Sequence, residues 1–218
     1  MAPSHFALKD NLMNRAFTLL ELLIVLGIVS LLAAILFPVF VKVRETGRRS
    51  QCISNIRQLG VAVESYLADF DNRYPFAWGP DAVRRGKTPG FPAVMMPYVL
   101  NQTIFECPSD IGETFPSDRV NGWGSRTIPF KAQCPGAMSY LYRGIDKGYY
   151  AIATRKTSDI RKPSITVLLQ EARPWHGYNV SDKFVESPGR YNVLYCDGHV
   201  ARDTYKEWWA NMNLCFQR

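Results

Sequence analysis

Arg15-Ala-Phe-Thr-Leu-Leu-Glu-Leu-Leu-Ile-Val-Leu-Gly-Ile-Val-Ser-Leu-Leu-Ala-Ala-Ile-Leu-Phe-Pro-Val-Phe-Val-Lys-Val43 is the stretch whose reading decides how this chain is built. Leu22 to Val41 is a run of 20 residues without a charge. At about 1.5 Å per residue such a helix covers about 30 Å, the thickness of a bilayer's hydrocarbon core. The run exceeds the roughly 7–15 apolar residues of a signal peptide. Glu21 stands at its leading edge, and a carboxylate near a membrane interior costs about 2.5 kcal/mol or more, which makes it a functional candidate.

The residues around that Glu carry a resemblance. Ala16-Phe17-Thr18-Leu19-Leu20-Glu21 resembles the processing site of type IV prepilins and type II secretion pseudopilins. The resemblance implies a leader over residues 1–16, cleavage by a prepilin peptidase between Ala16 and Phe17, and N-methylation of Phe17. It also implies an assembly role for Glu21 and a helix-softening proline at Pro38. The family usually has Gly before the cut, and this chain has Ala16, the next smallest residue.

Either side of the run the chain is ordinary. The leader carries Lys9, Asp10 and Arg15, and Met13 is an alternative start. Lys42, Arg44, Arg48 and Arg49 follow the run, so charge counting alone would place the C-terminal part in the cytoplasm. The resemblance implies the opposite: an inner-membrane anchor with the domain in the periplasm, or on a cell-surface filament.

The helix is expected to continue past the membrane. Ile53, Ile56, Leu59, Gly60, Val63, Leu67 and Phe70 recur at spacings of three and four, an amphipathic stripe. Asp71-Asn72-Arg73-Tyr74-Pro75 reads as the stop. The expected organisation is therefore a leader (1–16), a transmembrane helix (17–41), its amphipathic continuation (42–70) and an extracytoplasmic domain (71–218).

That last part is long enough for a core of its own. From residue 71 onward, 19 Lys/Arg against 14 Asp/Glu leave it mildly basic, at +5. Residues 75–136 are rich in Pro and Gly, with a short helix expected over Pro92–Leu100 and an extended piece over Thr103–Glu106. Strands are expected at Met138–Arg143, Tyr149–Thr154 and Ser164–Gln170. Tyr191–Cys196, Asp197-Gly198 and His199–Thr204 form the clearest hairpin, expected to close through a type I′ turn. A helix over Tyr205–Met212 should lay Trp208 and Trp209 on the sheet. The expected fold class is α+β: a long N-terminal helix on a small antiparallel sheet, pilin-like.

A second resemblance covers the far end. Asn192-Val-Leu-Tyr-Cys-Asp-Gly-His-Val200, together with Cys107-Pro-Ser-Asp110 and Cys52-Ile-Ser-Asn55, resembles a large subfamily of bacterial prepilin-type proteins. Its hallmark is a His, nine residues, then Asp-Gly; here Ser187 stands at the His position.

Five cysteines leave at least one thiol over. We pair Cys107 with Cys134; two buried thiols are the alternative. No metal site is expected, because the chain has no Cys-x-x-Cys and no paired His. No cofactor is expected either. For calcium, Asp110, Asp118, Asp182, Glu186 and Asp197 are scattered donors, and calcium needs six to eight converging oxygens. DNA is a weak expectation: Arg84-Arg85-Gly86-Lys87, Arg155-Lys156 and Arg161-Lys162 read first as solvated charge.

Nor is an enzyme expected. His5, His176 and His199 are the only histidines, and no nucleophile elbow, phosphate loop or His-Glu-x-x-His occurs. The functional reading implied is a structural subunit of a type IV pilus-like filament or type II secretion pseudopilus. Its partners would be prepilin peptidase, related subunits, an inner-membrane assembly platform and the lipid bilayer. The alternative is a single-pass anchored binding module, for surface, carbohydrate or DNA, that does not polymerise.

Overall fold

The computed structural model describes residues 18–78, 83, 86–114, 127–128, 138–144, 151–176 and 189–215. Helix α1 runs from Leu19 to Asp69, with Pro38 inside it. It stops where expected: Asp71 and Asn72 take left-handed φ values of 50° and 54°, and the Asn72 N–H returns to the Leu67 carbonyl at 2.9 Å. Asp and Asn tolerate that conformation, which ends a helix by satisfying its last carbonyls.

The chain divides into two compact units, one up to Val43 and one from Arg44. The first is the apolar half of α1. Its large side chains lie open: Leu19 is 81% exposed, Phe37 73% and Phe40 67%.

In the second unit α1 is amphipathic. Cys52, Ile56, Leu59, Val63 and Tyr66 are buried, at successive spacings of four and three. The stripe read from sequence is therefore rotated slightly: Ile53 is half-buried and Phe70 is 49% exposed. Cys52, Asn55 and Tyr66 fill the face instead.

This face belongs to a core with one side of a four-stranded antiparallel sheet. The strands are β3 (Tyr140–Tyr142), β4 (Val167–Glu171), β5 (Arg190–Tyr195) and β6 (Val200–Thr204), in that spatial order. A separate pair, β1 (Glu113–Thr114) and β2 (Thr127–Ile128), is also antiparallel. Tyr140, Tyr142, Leu169 and Leu194 pack in the core with α1. Gly60 allows a close approach there: a Cβ at that position would sit 3.1 Å from Leu194 Cδ2, tight enough that the Leu194 side chain would have to shift. The opposite face carries Tyr191, Val193 and Tyr195 against Trp208 of helix α3 (Tyr205–Cys215). A bulge between Val167 and Leu169 shifts β4, so Leu169 still meets Leu194 and Gln170 meets Val193. The α+β architecture expected from sequence is thus the one observed.

Several local expectations are corrected. The β5–β6 hairpin has no type I′ turn, because Gly198 alone in it has positive φ, at 87°. The Gly198 N–H bonds to the Tyr195 carbonyl and the Tyr195 N–H to the His199 carbonyl, both at 3.0 Å. That is the three-residue loop in which a left-handed Gly follows a type I turn. Thr103–Glu106 is not extended; Gln102–Phe105 forms a 3₁₀ turn whose start is capped by the Asn101 side chain accepting from the Thr103 N–H. Residues 151–154 form no strand, and Thr154 is left-handed (φ 66°). Around it the chain bonds back to Tyr74 instead. The expected helix over Pro92–Leu100 is α2 (Phe91–Met95) with a 3₁₀ turn at Met96–Tyr98. Trp208 covers the sheet, whereas Trp209 is 39% exposed.

Candidate functional site

Two places in the described residues concentrate polar chemistry. The first is the start of α1. Glu21 and Thr18 bond reciprocally: the Thr18 N–H and hydroxyl both donate to Glu21 Oε2 at 2.9 Å, and the Glu21 N–H donates to Thr18 Oγ1 at 3.2 Å. This is a capping box, which satisfies N–H groups that the first helical turn would otherwise leave open. Glu21 therefore has a local partner. Ala16 and Phe17 lie outside the described residues.

The second place is a buried cluster between α1, β4, β5 and two loops. It starts with a correction. Cys107 is joined to Cys52, not Cys134, across 55 residues of sequence and a Cα separation of 5.2 Å. The reason is packing: Cys52 sits on the buried face of α1 and Cys107 in the same core, 0% and 1% exposed. Cys134 lies outside the described residues.

Beside the disulfide lies His176, 5% exposed. Its Nδ1 is 2.7 Å from Glu45 Oε1 and its Nε2 is 3.1 Å from Glu171 Oε1. Nε2 is also 3.5 Å from Cys107 Sγ. Glu171 is fully buried and accepts from the Asn192 N–H at 2.9 Å and from Asn192 Nδ2 at 2.7 Å. Glu45 accepts from the Ser109 hydroxyl at 2.9 Å and lies 3.8 Å from Arg48 Nη1. Burial of the ring works against charging His176. The hydrogen bonds and charges of Glu171 and Glu45 more than offset it, so the pKa is raised above the usual histidine value.

A neighbouring network holds the loop of Cys107-Pro-Ser-Asp110. Asp110 accepts from the Ser139 hydroxyl at 2.7 Å and the Gly112 N–H at 2.9 Å. Asn55 Nδ2 donates to the Glu106 carbonyl at 2.9 Å. The two sequence strings Cys52-Ile-Ser-Asn55 and Cys107-Pro-Ser-Asp110 therefore meet in space.

Reading by sequence did not single out Glu45, Glu171 or His176. Glu45 is 131 residues from His176, so no local spacing announces the contact. A Glu and a Gln inside a strand-like run (Leu168-Leu169-Gln170-Glu171) were the available signal. Of the calcium donors, Asp110 is occupied as described and Asp197 binds its own turn, 2.6 Å from His199 Nδ1. Asp118, Asp182 and Glu186 lie outside the described residues. In the basic clusters, Lys156 Nζ is 2.7 Å from Asp71 Oδ2 and Lys87 lies over the Trp78 ring at 5.9 Å.

Residues 11–37 match the family described as "Prokaryotic N-terminal methylation motif". Residues 41–132 match the family described as "Protein of unknown function (DUF1559)". The chain is 28% identical over 156 residues to the "Type IV major pilin protein PilA" of Myxococcus xanthus (strain DK1622), covering 58% of this chain and 71% of that protein. No solved structure matches it.

Proposed function

Taking as premise that this chain is a type IV prepilin-like protein, we propose that it is a non-catalytic structural subunit of a type IV pilus-like filament or secretion pseudopilus. One observation carries the reading. A match to a methylation-motif family over residues 11–37 spans the start of an apolar helix whose large side chains lie open among the described residues. Such a surface is stable in lipid or against other helices, and the proposed life of the subunit uses both.

The similarity and the apolar helix fit a membrane-anchored or surface-filament protein. In the proposed sequence of events the prepilin peptidase cuts after Ala16 on the cytoplasmic side. Phe17 becomes the methylated N-terminus, and the helix holds the chain in the inner membrane with its domain in the periplasm. An assembly platform then moves subunits from lipid into a helix bundle. There Glu21 exchanges its Thr18 partner for the Phe17 amine of a neighbour. Pairing removes two charges from an apolar bundle and defines one axial offset. Pro38 lacks a backbone N–H and softens the helix for that packing.

The test is intact mass and N-terminal sequence of the protein from membranes, with and without active prepilin peptidase. A start at Phe17, heavier by one methyl group, is expected only with the peptidase. An intact leader in the presence of active peptidase overturns the reading and leaves an anchored module that does not polymerise.

A further inference from the structure

We propose that the Cys52–Cys107 site has a second state: on reduction, Cys52, Cys107, His176 and Glu171 form a four-coordinate zinc centre. The four ligand atoms lie within 4.8 Å of one another, and all four residues are buried. Two separations already suit a common metal. Cys107 Sγ to His176 Nε2 is 3.5 Å and His176 Nε2 to Glu171 Oε1 is 3.1 Å. Ligands at about 2.3 Å (sulfur) and about 2.0–2.2 Å (nitrogen, oxygen) on one tetrahedral ion sit at edges of that order.

The surroundings are those of a metal-binding histidine. Nδ1 points to Glu45 Oε1 at 2.7 Å, which fixes the ring and leaves Nε2 for the ion. Glu45 is held in turn by the Ser109 hydroxyl. Asn192 holds Glu171 through its backbone and side-chain N–H groups. Two thiolates and an imidazole are soft or borderline donors, so the set selects zinc over calcium or magnesium. Two thiolates and the Glu171 carboxylate exceed the charge of Zn²⁺ by one. Arg202, opposite Asn192 in the β5–β6 register, interacts electrostatically with Glu171. With four protein ligands the centre is closed, so its role is to hold α1, the Cys107 loop and the segment after β4 together, not to catalyse.

The two states exclude each other, because the disulfide consumes both sulfur donors. A dithiol reductant converts them: its thiolate attacks the disulfide, the S–S bond breaks, and the reductant leaves as its own disulfide. The chain gains two electrons and two protons as two thiols. Zinc then displaces the two thiol protons and the Nε2 proton of His176, all three released to solvent. Sequence spacing conceals such a site because its two cysteines lie 55 residues apart and both are far from the Glu171–His176 pair, which is five residues apart.

The experiment uses the full chain in detergent, with Cys134→Ser, Cys196→Ser and Cys215→Ser to remove other thiols. The protein is reduced with dithiothreitol in mild denaturant, freed of both under anaerobic conditions, and titrated with Co²⁺ and Zn²⁺ alone. One Co²⁺ per chain is expected, with the visible bands of a tetrahedral ion, a thiolate charge-transfer band, and displacement by Zn²⁺. The disulfide form should bind none. Adding Cys52→Ser should abolish the charge-transfer intensity of one thiolate. Glu45→Gln, which keeps all four ligands, should weaken affinity about 10–100-fold. Where reduction unfolds the chain, recovery of circular dichroism on adding Zn²⁺ is the expected result. Absence of metal binding by the folded reduced chain overturns the proposal. So does failure of Zn²⁺ to restore an unfolded one, or binding that survives replacing both Cys52 and Cys107 by Ser. N-terminal processing is not read by any of these measurements.

Discussion

His176 Nδ1 lies 2.7 Å from Glu45 Oε1, joining the segment just after β4 to α1 across 131 residues of sequence. The same ring meets the fully buried Glu171 on its other side. The raised pKa of His176 makes it a cation held between two carboxylate side chains.

Removing that cation should be costly. His176→Asn takes the cationic partner from the buried Glu171, leaving it only the Asn192 bonds, and is expected to destabilise the disulfide-bonded chain by about 3 kcal/mol. Glu45 is partly exposed, so Glu45→Gln should cost less. Chemical denaturation of both single variants and the double variant in detergent gives the coupling, which vanishes only if the contact contributes nothing.

The same contact sets a pH dependence. The His176 pKa is raised in the folded chain, and the unfolded value is about 6.5. Its contribution is fully present below the unfolded value and is lost as pH rises through the folded one. The disulfide form should therefore lose stability from mildly acidic to alkaline pH. The facing groups are Glu45, Glu171 and the Cys107 sulfur. Denaturation midpoints across this range should slope in the parent and flatten in His176→Asn.

The Cys52–Cys107 bond closes a loop of 55 residues. Constraining the unfolded chain to that extent stabilises by about 4 kcal/mol. Peptide mapping without reduction should recover Cys52 and Cys107 in one cross-linked species. Replacing both by Ser should lower the denaturation free energy by roughly that amount. A Cys107–Cys134 species would show that this pairing is wrong.

Two helical glycines should respond in opposite directions. Gly47 has open space where a Cβ would go, so Gly47→Ala should stabilise by about 0.5–1 kcal/mol through helix propensity. Gly60 faces Leu194 at 3.1 Å, and Gly60→Val should cost about 1–3 kcal/mol by overpacking. Thermal melts of the two variants side by side would reveal whether α1 and β5 are packed as described.

At the start of α1, Thr18→Ala removes the hydroxyl of the capping box and should cost about 0.5–2 kcal/mol of local helix stability. Hydrogen exchange at the first turn should quicken while exchange around Ile56 and Leu59 stays unchanged. Equal quickening at both places would contradict a local role.

Much was legible in the chain itself, and for one reason: those features are local. The charge-free run from Leu22 to Val41, the helix stop at Asp71-Asn72, the apolar spacing from Ile56 to Val63 and the Asp197-Gly198 hairpin each depend on neighbours a few residues away. Periodicity and turn chemistry report such neighbours directly. Even there detail escaped, because the turn type depends on whether Asp197 takes positive φ, and in the three-residue loop Gly198 alone does so. The buried cluster was decided by tertiary structure alone. Cys52 pairs with Cys107 because packing of α1 on the sheet brings their Cα atoms to 5.2 Å. Glu45, His176 and Glu171 meet for the same reason. Each is unremarkable in its own segment, and only the packed core, in which Glu171 and His176 are buried and Glu45 reaches in from its edge, makes them one unit.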